Sequence, residues 1–345
     1  LRLTTGGFLF LCRIIMVNLN TQSPQYFFDG IRSGDRVLIA RAITLLESTA
    51  QAQRDLGLEI LQLCLPFSGN AIRVGITGAP GVGKSTMIEA LGLHIAAQGH
   101  KLAVLAVDPS SKKTKGSILG DKTRMQELAK HPEVFIRPTA SGEHLGGVAA
   151  ATRETILLLE AANYDTVLVE TVGVGQSETA VHGITDVFIL LLIAGAGDEL
   201  QGIKRGIMEM ADIIVMNKAD GDNVQRSQMA MGEVSRALHL FQEKESKWAT
   251  TVSLGSALNG NGVAELWNAI LAYQQHTRQN GFFDINRGRQ NTAWFHEYLH
   301  QSLLNHFLKN ENYKQLLEQY TKQVELAKTL PPVAVQELLK QIIRD

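Results

Sequence analysis

Glycines, a lysine and hydroxyl side chains recur within residues 74–86, VGITGAPGVGKST, at a spacing suited to phosphate chemistry. The P-loop pattern G-x-x-x-x-G-K-[ST] is met by Gly78, Gly83, Lys84 and Ser85. Glycines let backbone N–H groups approach phosphate oxygens, the lysine can bridge the β- and γ-phosphates, and the serine can ligate Mg²⁺. A glycine-rich turn could meet the pattern by chance, but an apolar run precedes it and a helical pattern follows. The residues predicted to surround the phosphates are Gly78, Ala79, Pro80, Gly81, Val82, Gly83, Lys84, Ser85 and Thr86.

A second motif, N-K-A-D at residues 217–220, follows an apolar run and is typical of proteins that read guanine. The Asp220 carboxylate can accept hydrogen bonds from the guanine ring N–H and amino group, and the Lys218 stem can cover the base. Residues 256–258, S-A-L, fit a weaker element whose backbone N–H contacts the guanine oxygen. A surface loop is the alternative explanation, and the preceding P-loop argues against it. The residues predicted to bind the base are Asn217, Lys218, Asp220, Ser256, Ala257 and Leu258.

Acidic residues also stand at the ends of apolar runs. Glu170 and Gly173 occupy the place where most GTPases carry D-x-x-G, whose carboxylate holds Mg²⁺ and whose glycine N–H contacts the γ-phosphate. Asp108 and Asn217 end two other apolar runs. Because the carboxyl ends of parallel strands meet at one edge of a sheet, we expect these residues to share one site. A surface charge at a strand end is the alternative for Glu170.

The elements that must position these residues alternate between apolar runs and helical patterns from residue 74 to residue 278. This alternation predicts an α/β fold with a doubly wound, mainly parallel sheet. Helical patterning also precedes and follows this core. We predict a disordered extension at residues 1–34, helices at 35–70, the nucleotide-binding domain at 71–280, and a helical arm at 281–345 that opens with a polar break at 281–290.

The composition is ordinary for a globular protein and therefore excludes few classes of function. The 345 residues are 45% hydrophobic and 19% charged, with a formal net charge of -1, so no basic surface predicts nucleic-acid binding. The two cysteines, Cys12 and Cys64, are far apart, which indicates a reducing, cytoplasmic setting without a disulfide. The apolar stretch at residues 8–17 is too short to cross a membrane. We interpret residues 1–15 as an upstream extension before Met16, with a short targeting segment as the alternative.

Four linked segments are similar to one known family: VLAVDPSSKKTKGSILGDKTRM (104–125), ETVGVGQSE (170–178), GDELQGIKRG (197–206) and NKADGDN (217–223). They resemble the methylmalonyl-CoA mutase-associated GTPases of the MeaB or ArgK type, which are also labelled LAO/AO transport system ATPases or kinases. The resemblance covers essentially residues 35–345. It implies a P-loop NTPase fold of the SIMIBI class of GTPases, with helical extensions at both ends.

The resemblance also implies what such a protein does. Family members bind GTP with Mg²⁺, hydrolyse it slowly, and act as homodimeric metallochaperones. They gate adenosylcobalamin loading onto an acyl-CoA mutase and protect that enzyme. Residues 112–122, 173–178 and 195–206 correspond to three switch segments. The implied catalytic residues are Lys84, Asp108, Asp121 and Glu170, and the implied metal-binding residues are Ser85, Asp108 and Glu170.

Two other functions compete with this interpretation. The first is an ATP-dependent kinase or ATPase of an arginine/ornithine transport system, which would have no need for a guanine-reading motif. The second is a nickel-delivery GTPase, which would carry clustered cysteines or histidines; here they are scattered. Arg124 is the nearest candidate for an arginine finger, although a solvated charge on a helix is the favoured explanation for it.

Overall fold

A single parallel sheet forms the centre of the protein in the computed structural model, which describes residues 23–107, 125–139, 147–171, 177–195 and 205–342. Seven strands lie within these residues, in the order β3-β2-β4-β1-β5-β6-β7, and every neighbouring pair is parallel. The strands are β1 (Ile72–Gly78), β2 (Leu102–Val107), β3 (Val134–Thr139), β4 (Thr166–Thr171), β5 (Val187–Ile193), β6 (Ile213–Asn217) and β7 (Thr251–Leu254). The predicted doubly wound α/β fold is confirmed.

Helices cover both faces of the sheet, which is why its strands are almost wholly apolar. On one face, Ile76 of β1 packs in a cluster with Leu91 and Trp267 from two covering helices. On the other face, Val167 and Val169 of β4 join a cluster with helical residues such as Ile156. The described helices of this core are α4 (Lys84–Ala97), α5 (Gln126–Lys130), α6 (Gly147–Ala161), α7 (Ser177–His182), α8 (Arg205–Met210), α9 (Val224–Leu238) and α10 (Val263–Gln279).

Within the described residues, three α-helices precede the sheet: α1 (Pro24–Ser33), α2 (Arg36–Leu46) and α3 (Gln51–Cys64). The prediction of disorder through residue 34 is wrong for its described part, because α1 is helical. Phe27 and Ile31, four residues apart, are fully buried. Ser23 caps the first turn by accepting from the Tyr26 N–H, and Gly34 ends the helix in a left-handed conformation. Residues 1–22 lie outside the described residues.

The polar break predicted at residues 281–290 is also wrong, since α11 (Phe282–Lys309) begins directly after Gly281. The buried residues of its first turns are Phe283 and Gln290, so a single apolar residue marks the helical pattern there. Arg287 pairs with buried Asp186 at 2.7 Å and donates to the Ala71 carbonyl, and Gln290 donates to the Thr185 carbonyl. These polar contacts fix the first turns of α11 to the core in the way that apolar residues would elsewhere.

Two compact units divide the chain, residues 1–290 and residues 291–345. The second holds most of α11 together with α12 (Glu311–Glu325) and α13 (Pro331–Ile342). Within it, Tyr320 and Ala334 are buried, and Gln341 donates to the Tyr320 hydroxyl at 3.1 Å. No helix among the described residues is long and apolar enough to cross a membrane.

A cluster of buried charges lies at the amino-terminal edge of the sheet, away from the strand ends that carry the motifs. Asp212 accepts from the Lys244 ammonium at 3.0 Å and from the Phe188 N–H at 3.0 Å. Burial raises the pKa of Asp212, although Lys244 acts in the opposite direction. The neighbouring His182 packs edge-on against Phe188, although more than a third of the residue is exposed. Partial desolvation lowers its pKa, with Asp212 opposing this shift and Lys244 adding to it.

We expect His182 to make stability fall slightly on acidification, since solvent screens the shift of an exposed group. Because its pKa is lower in the folded protein, the unfolded chain takes up a proton first as the pH falls below about 6.5. The contribution of the neutral imidazole is therefore complete above that pH and is lost as the pH falls through the folded-state pKa. Urea unfolding at pH 7.5 and pH 5.5 should show a smaller loss for His182→Gln than for the wild type. The control His300→Gln, which lies in the second unit, should lose as much as the wild type, and an equal loss in all three proteins would contradict the assignment.

Candidate functional site

The P-loop connects the carboxyl end of β1 to the first turn of α4, which is the placement that phosphate binding requires. Gly81 and Gly83 have φ angles of 79° and 97°, in the left-handed region that favours glycine. A Cβ on Gly83 would lie 2.7 Å from the Asn217 Nδ2, so glycine is needed there for space as well. The helix that begins at Lys84 turns the N–H groups of its first turn toward the loop, and these are suited to an anion.

The Lys84 side chain folds back onto the P-loop that precedes it. Its ammonium donates to the Gly78 carbonyl at 2.7 Å and to the Ala79 carbonyl at 3.3 Å. These contacts hold one compact positive charge over the centre of the loop. The other predicted loop residues differ in exposure: Val82 is buried, whereas Pro80, Gly81 and Thr86 are exposed.

Ser85 and Glu170, predicted to lie near Mg²⁺, are brought together by the fold. The Ser85 hydroxyl donates to the Glu170 Oε1 at 3.0 Å, although 85 residues separate them in the chain. Glu170 is buried at the end of β4, while Ser85 is partly buried in the first turn of α4. A hydroxyl and a carboxylate beside a phosphate-binding loop are hard oxygen donors, so this pair fits a magnesium ion.

Asn217 connects the two loops that the sequence analysis treated as separate motifs. Its Nδ2 donates to the Val82 carbonyl in the P-loop at 2.8 Å, and its Oδ1 accepts from the Ala257 N–H at 3.3 Å. The side chain is almost fully buried, which makes both bonds hard for water to replace. The end of β6 is therefore tied to the phosphate-binding loop and to residues 256–258.

The remaining base-binding candidates also come together. The Ser256 hydroxyl donates to the Asp220 carboxylate, and the Ala219 N–H donates to the Gly255 carbonyl at 3.0 Å. Lys218 is exposed and has a φ of 58°, a conformation that costs energy for a residue with a Cβ. Leu258 is 81% exposed, so among residues 256–258 only Ser256 and Ala257 contact Asn217 or Asp220.

Sequence reasoning missed the residue that supports the strained Lys218. Asn223 Nδ2 donates to the Lys218 carbonyl at 2.8 Å, from a short 3-10 turn at Gly221–Asn223. The Asp-Gly pair within NKADGDN is a turn signal, so the sequence indicated the turn but not the bond that Asn223 makes.

Three predicted site residues, Asp108, Asp121 and Gly173, lie outside the described residues. The same holds for residues 112–122, and for most of the other two segments predicted to act as switches. Asp108 directly follows β2, and Gly173 lies two residues after β4. Their roles remain predictions.

The geometry thus combines a P-loop, a hydroxyl–carboxylate pair and the loop predicted to bind the base at one edge of a parallel sheet. The family model described as methylmalonyl-CoA mutase-associated GTPase MeaB matches residues 39–312, more than half of the chain. The chain belongs to the MeaB family. It is accordingly a nucleotide-binding P-loop protein and a member of a GTPase family.

Individual relatives agree with this assignment. A probable GTPase of Mycobacterium tuberculosis is 48% identical over 311 residues, which cover 90% of this chain and 93% of the relative. The mouse protein named methylmalonic aciduria type A homolog, mitochondrial, is 40% identical over 91% of this chain and 78% of its own length. A crystal structure described as a LAO/AO transport system kinase superposes with a TM-score of 0.74 at 37% identity, covering 92% of this chain and 97% of that one.

Asp220→Asn should weaken guanine nucleotide binding and reduce the preference for GDP over ADP. The asparagine amide places an N–H donor opposite the two donors of guanine, which need acceptors. A lost hydrogen bond to a charged group costs about 1.5–3 kcal/mol, or roughly tenfold to a hundredfold in affinity. Titration calorimetry with GDP and ADP measures both effects. The nearby exposed residue offers a matched control, since Asp222→Asn should bind like the wild type. Equal GDP affinity for Asp220→Asn and the wild type would contradict the assignment of Asp220.

Proposed function

We propose that this protein is a Mg²⁺-dependent GTPase that serves as a metallochaperone for an adenosylcobalamin-dependent acyl-CoA mutase. The proposal that the protein binds and hydrolyses GTP rests on the hydrogen bonds of the Asn217 side chain to the P-loop and to Ala257. This contact places the loop suited to guanine at a fixed distance from the loop suited to phosphates. The family description supports methylmalonyl-CoA mutase as the partner, and so does the name of the mouse relative.

In the proposed reaction, water attacks the γ-phosphate in line with the departing β-phosphate oxygen. Lys84 and the loop N–H groups stabilise the charge that spreads over the transferred group. A bound Mg²⁺ would neutralise charge on the β- and γ-phosphate oxygens. The Ser85 hydroxyl would ligate this ion and Glu170 would hold its water shell, with Asp108 and Asp121 as further acidic candidates.

The second candidate is a kinase or ATPase of a transport system, which the description of the superposed crystal structure suggests. A protein of that kind would use ATP, and adenine presents an acceptor nitrogen and a C–H group where guanine presents the two donors that Asp220 would bind. The Ser256 hydroxyl donates to the Asp220 carboxylate and so holds this acceptor beside residues 256–258. A carboxylate acceptor at this position suits the donors of guanine and therefore favours GTP.

The mutase partner can be tested directly. Size-exclusion chromatography of this protein with methylmalonyl-CoA mutase should show a complex whose stability depends on whether GDP or a non-hydrolysable GTP analogue is bound. The mutase should also raise the GTPase rate at least severalfold, because a partner that orders loops around the γ-phosphate lowers the barrier. Absence of a complex with both nucleotides, together with an unchanged GTPase rate, would contradict the chaperone role for this mutase.

We also propose that the second unit forms a homodimer. Phe295, Leu299 and Leu303 recur every four residues along α11 and are exposed, so they form an apolar stripe on one helix face. Exposed apolar residues on α12 and α13 extend the apolar surface of this unit, including Leu317, Val335 and Leu339. A second copy of the same unit would bury these residues against equivalent ones.

Charge in this stripe should disrupt the dimer. The double variant Leu299→Glu/Leu303→Glu should sediment as a monomer in analytical ultracentrifugation, because two carboxylates cannot be buried against an apolar partner surface. The control Gln301→Glu adds a charge at an exposed position of the same helix and should leave the dimer intact. A monomeric wild type, or a dimeric double variant, would refute the proposed interface.

A further inference from the structure

Two buried threonine hydroxyls lie between the strand that leads into the P-loop and the strand that carries Glu170. The Thr171 hydroxyl donates to the Thr77 hydroxyl at 2.9 Å and lies 3.4 Å from the Ile76 carbonyl. Both side chains are shielded from solvent, with 2% of Thr77 and none of Thr171 exposed. The strands are parallel and pair Ile76 with Glu170, so the next residue on each strand is Thr77 or Thr171.

This hydroxyl pair adjoins the site on both strands. Thr77 directly precedes Gly78, the first residue of the P-loop, and Thr171 directly follows Glu170. Successive side chains of a strand point to opposite faces, so Glu170 extends toward Ser85 on one face while Thr171 bonds to Thr77 on the other. The relative position of the two strand ends is therefore fixed one residue away from each of these groups.

Burial alone does not explain why hydroxyls stand here. Neighbouring residues on the same face of β4, Val167 and Val169, pack in an apolar cluster. A valine has nearly the shape of threonine and would fill the same space. Replacing both partners of a buried hydrogen bond by apolar groups of similar shape is often close to neutral for stability. What two valines could not supply is a directional bond that holds the strand ends in one alignment.

We propose that Thr77 and Thr171 are positioning residues that hold Glu170 beside Ser85 and so set the affinity of the site for Mg²⁺. Neither residue touches the nucleotide or the ion in this proposal; both act through Glu170 and the start of the P-loop. The inference rests on the proposed Mg²⁺-dependent GTPase function and adds the residues that tune it.

The test compares Thr171→Val, which removes the hydroxyl, with Thr171→Ser, which keeps it. We expect Thr171→Val to lower kcat for GTP hydrolysis about three- to tenfold, the range of one net hydrogen bond, with the KM for GTP changed less than twofold. The Mg²⁺ concentration that half-maximally slows release of a fluorescent GDP analogue should rise by a similar factor. Thr171→Ser should return both quantities to within about twofold of the wild type.

The partner residue supplies the second half of the test. Thr77→Val should reproduce the effects of Thr171→Val, and the double variant should be no worse than either single variant, because all three lack the same bond. Should Thr171→Val fail to fold, Thr77→Val and the double variant carry the comparison. Wild-type Mg²⁺ dependence in Thr77→Val, or additive losses in the double variant, would overturn the inference while leaving the GTPase assignment intact. A wild-type protein that releases GDP independently of Mg²⁺ would overturn both.

Discussion

The side-chain amide of Asn217 is the contact on which the geometry of the site depends. Its two polar ends bond to the Val82 carbonyl and the Ala257 N–H, so one buried group sets the separation between three loops. Neither partner is a side chain, which means that the link survives most substitutions in the loops that it joins. A buried amide that lost either bond would incur a desolvation cost, and this cost keeps the arrangement unique.

Such a contact is possible because the loops that it joins lie at one edge of the sheet. All described strand pairs are parallel, so their carboxyl ends meet at one edge of the sheet, and the motifs after β1, β4, β6 and β7 become neighbours. The Ser85–Glu170 bond joins the first and second of these motifs, and Asn217 joins the first, third and fourth. The opposite edge carries a different set of polar contacts, in which Asp212, Lys244 and Arg287 hold strand starts and helix ends together.

The two units use apolar residues differently. In residues 1–290, apolar side chains fill both faces of the sheet, and polar groups serve as anchors at its edges. In residues 291–345, Tyr320 and Ala334 are buried, while several leucines, among them Leu299 and Leu303, remain exposed. A unit this short can shield few of its apolar residues by its own folding, which is the physical reason to expect a second copy.

The sequence by itself determined the strands, their helical partners and the chemistry of the loops. Apolar runs and the P-loop spacing sufficed for this, because burial on both faces leaves a local signature along the chain. The sequence patterns failed to predict α1, whose apolar face is short, and the start of α11. The first turns of α11 are held by polar anchors such as Arg287. The motifs assigned Ser85 and Glu170 to one magnesium site, but only the tertiary structure decided the direct bonds: Ser85 with Glu170, Asn217 with Val82, and Thr77 with Thr171. Each of these bonds spans more than 80 residues, and no local pattern records a contact that strand order alone creates.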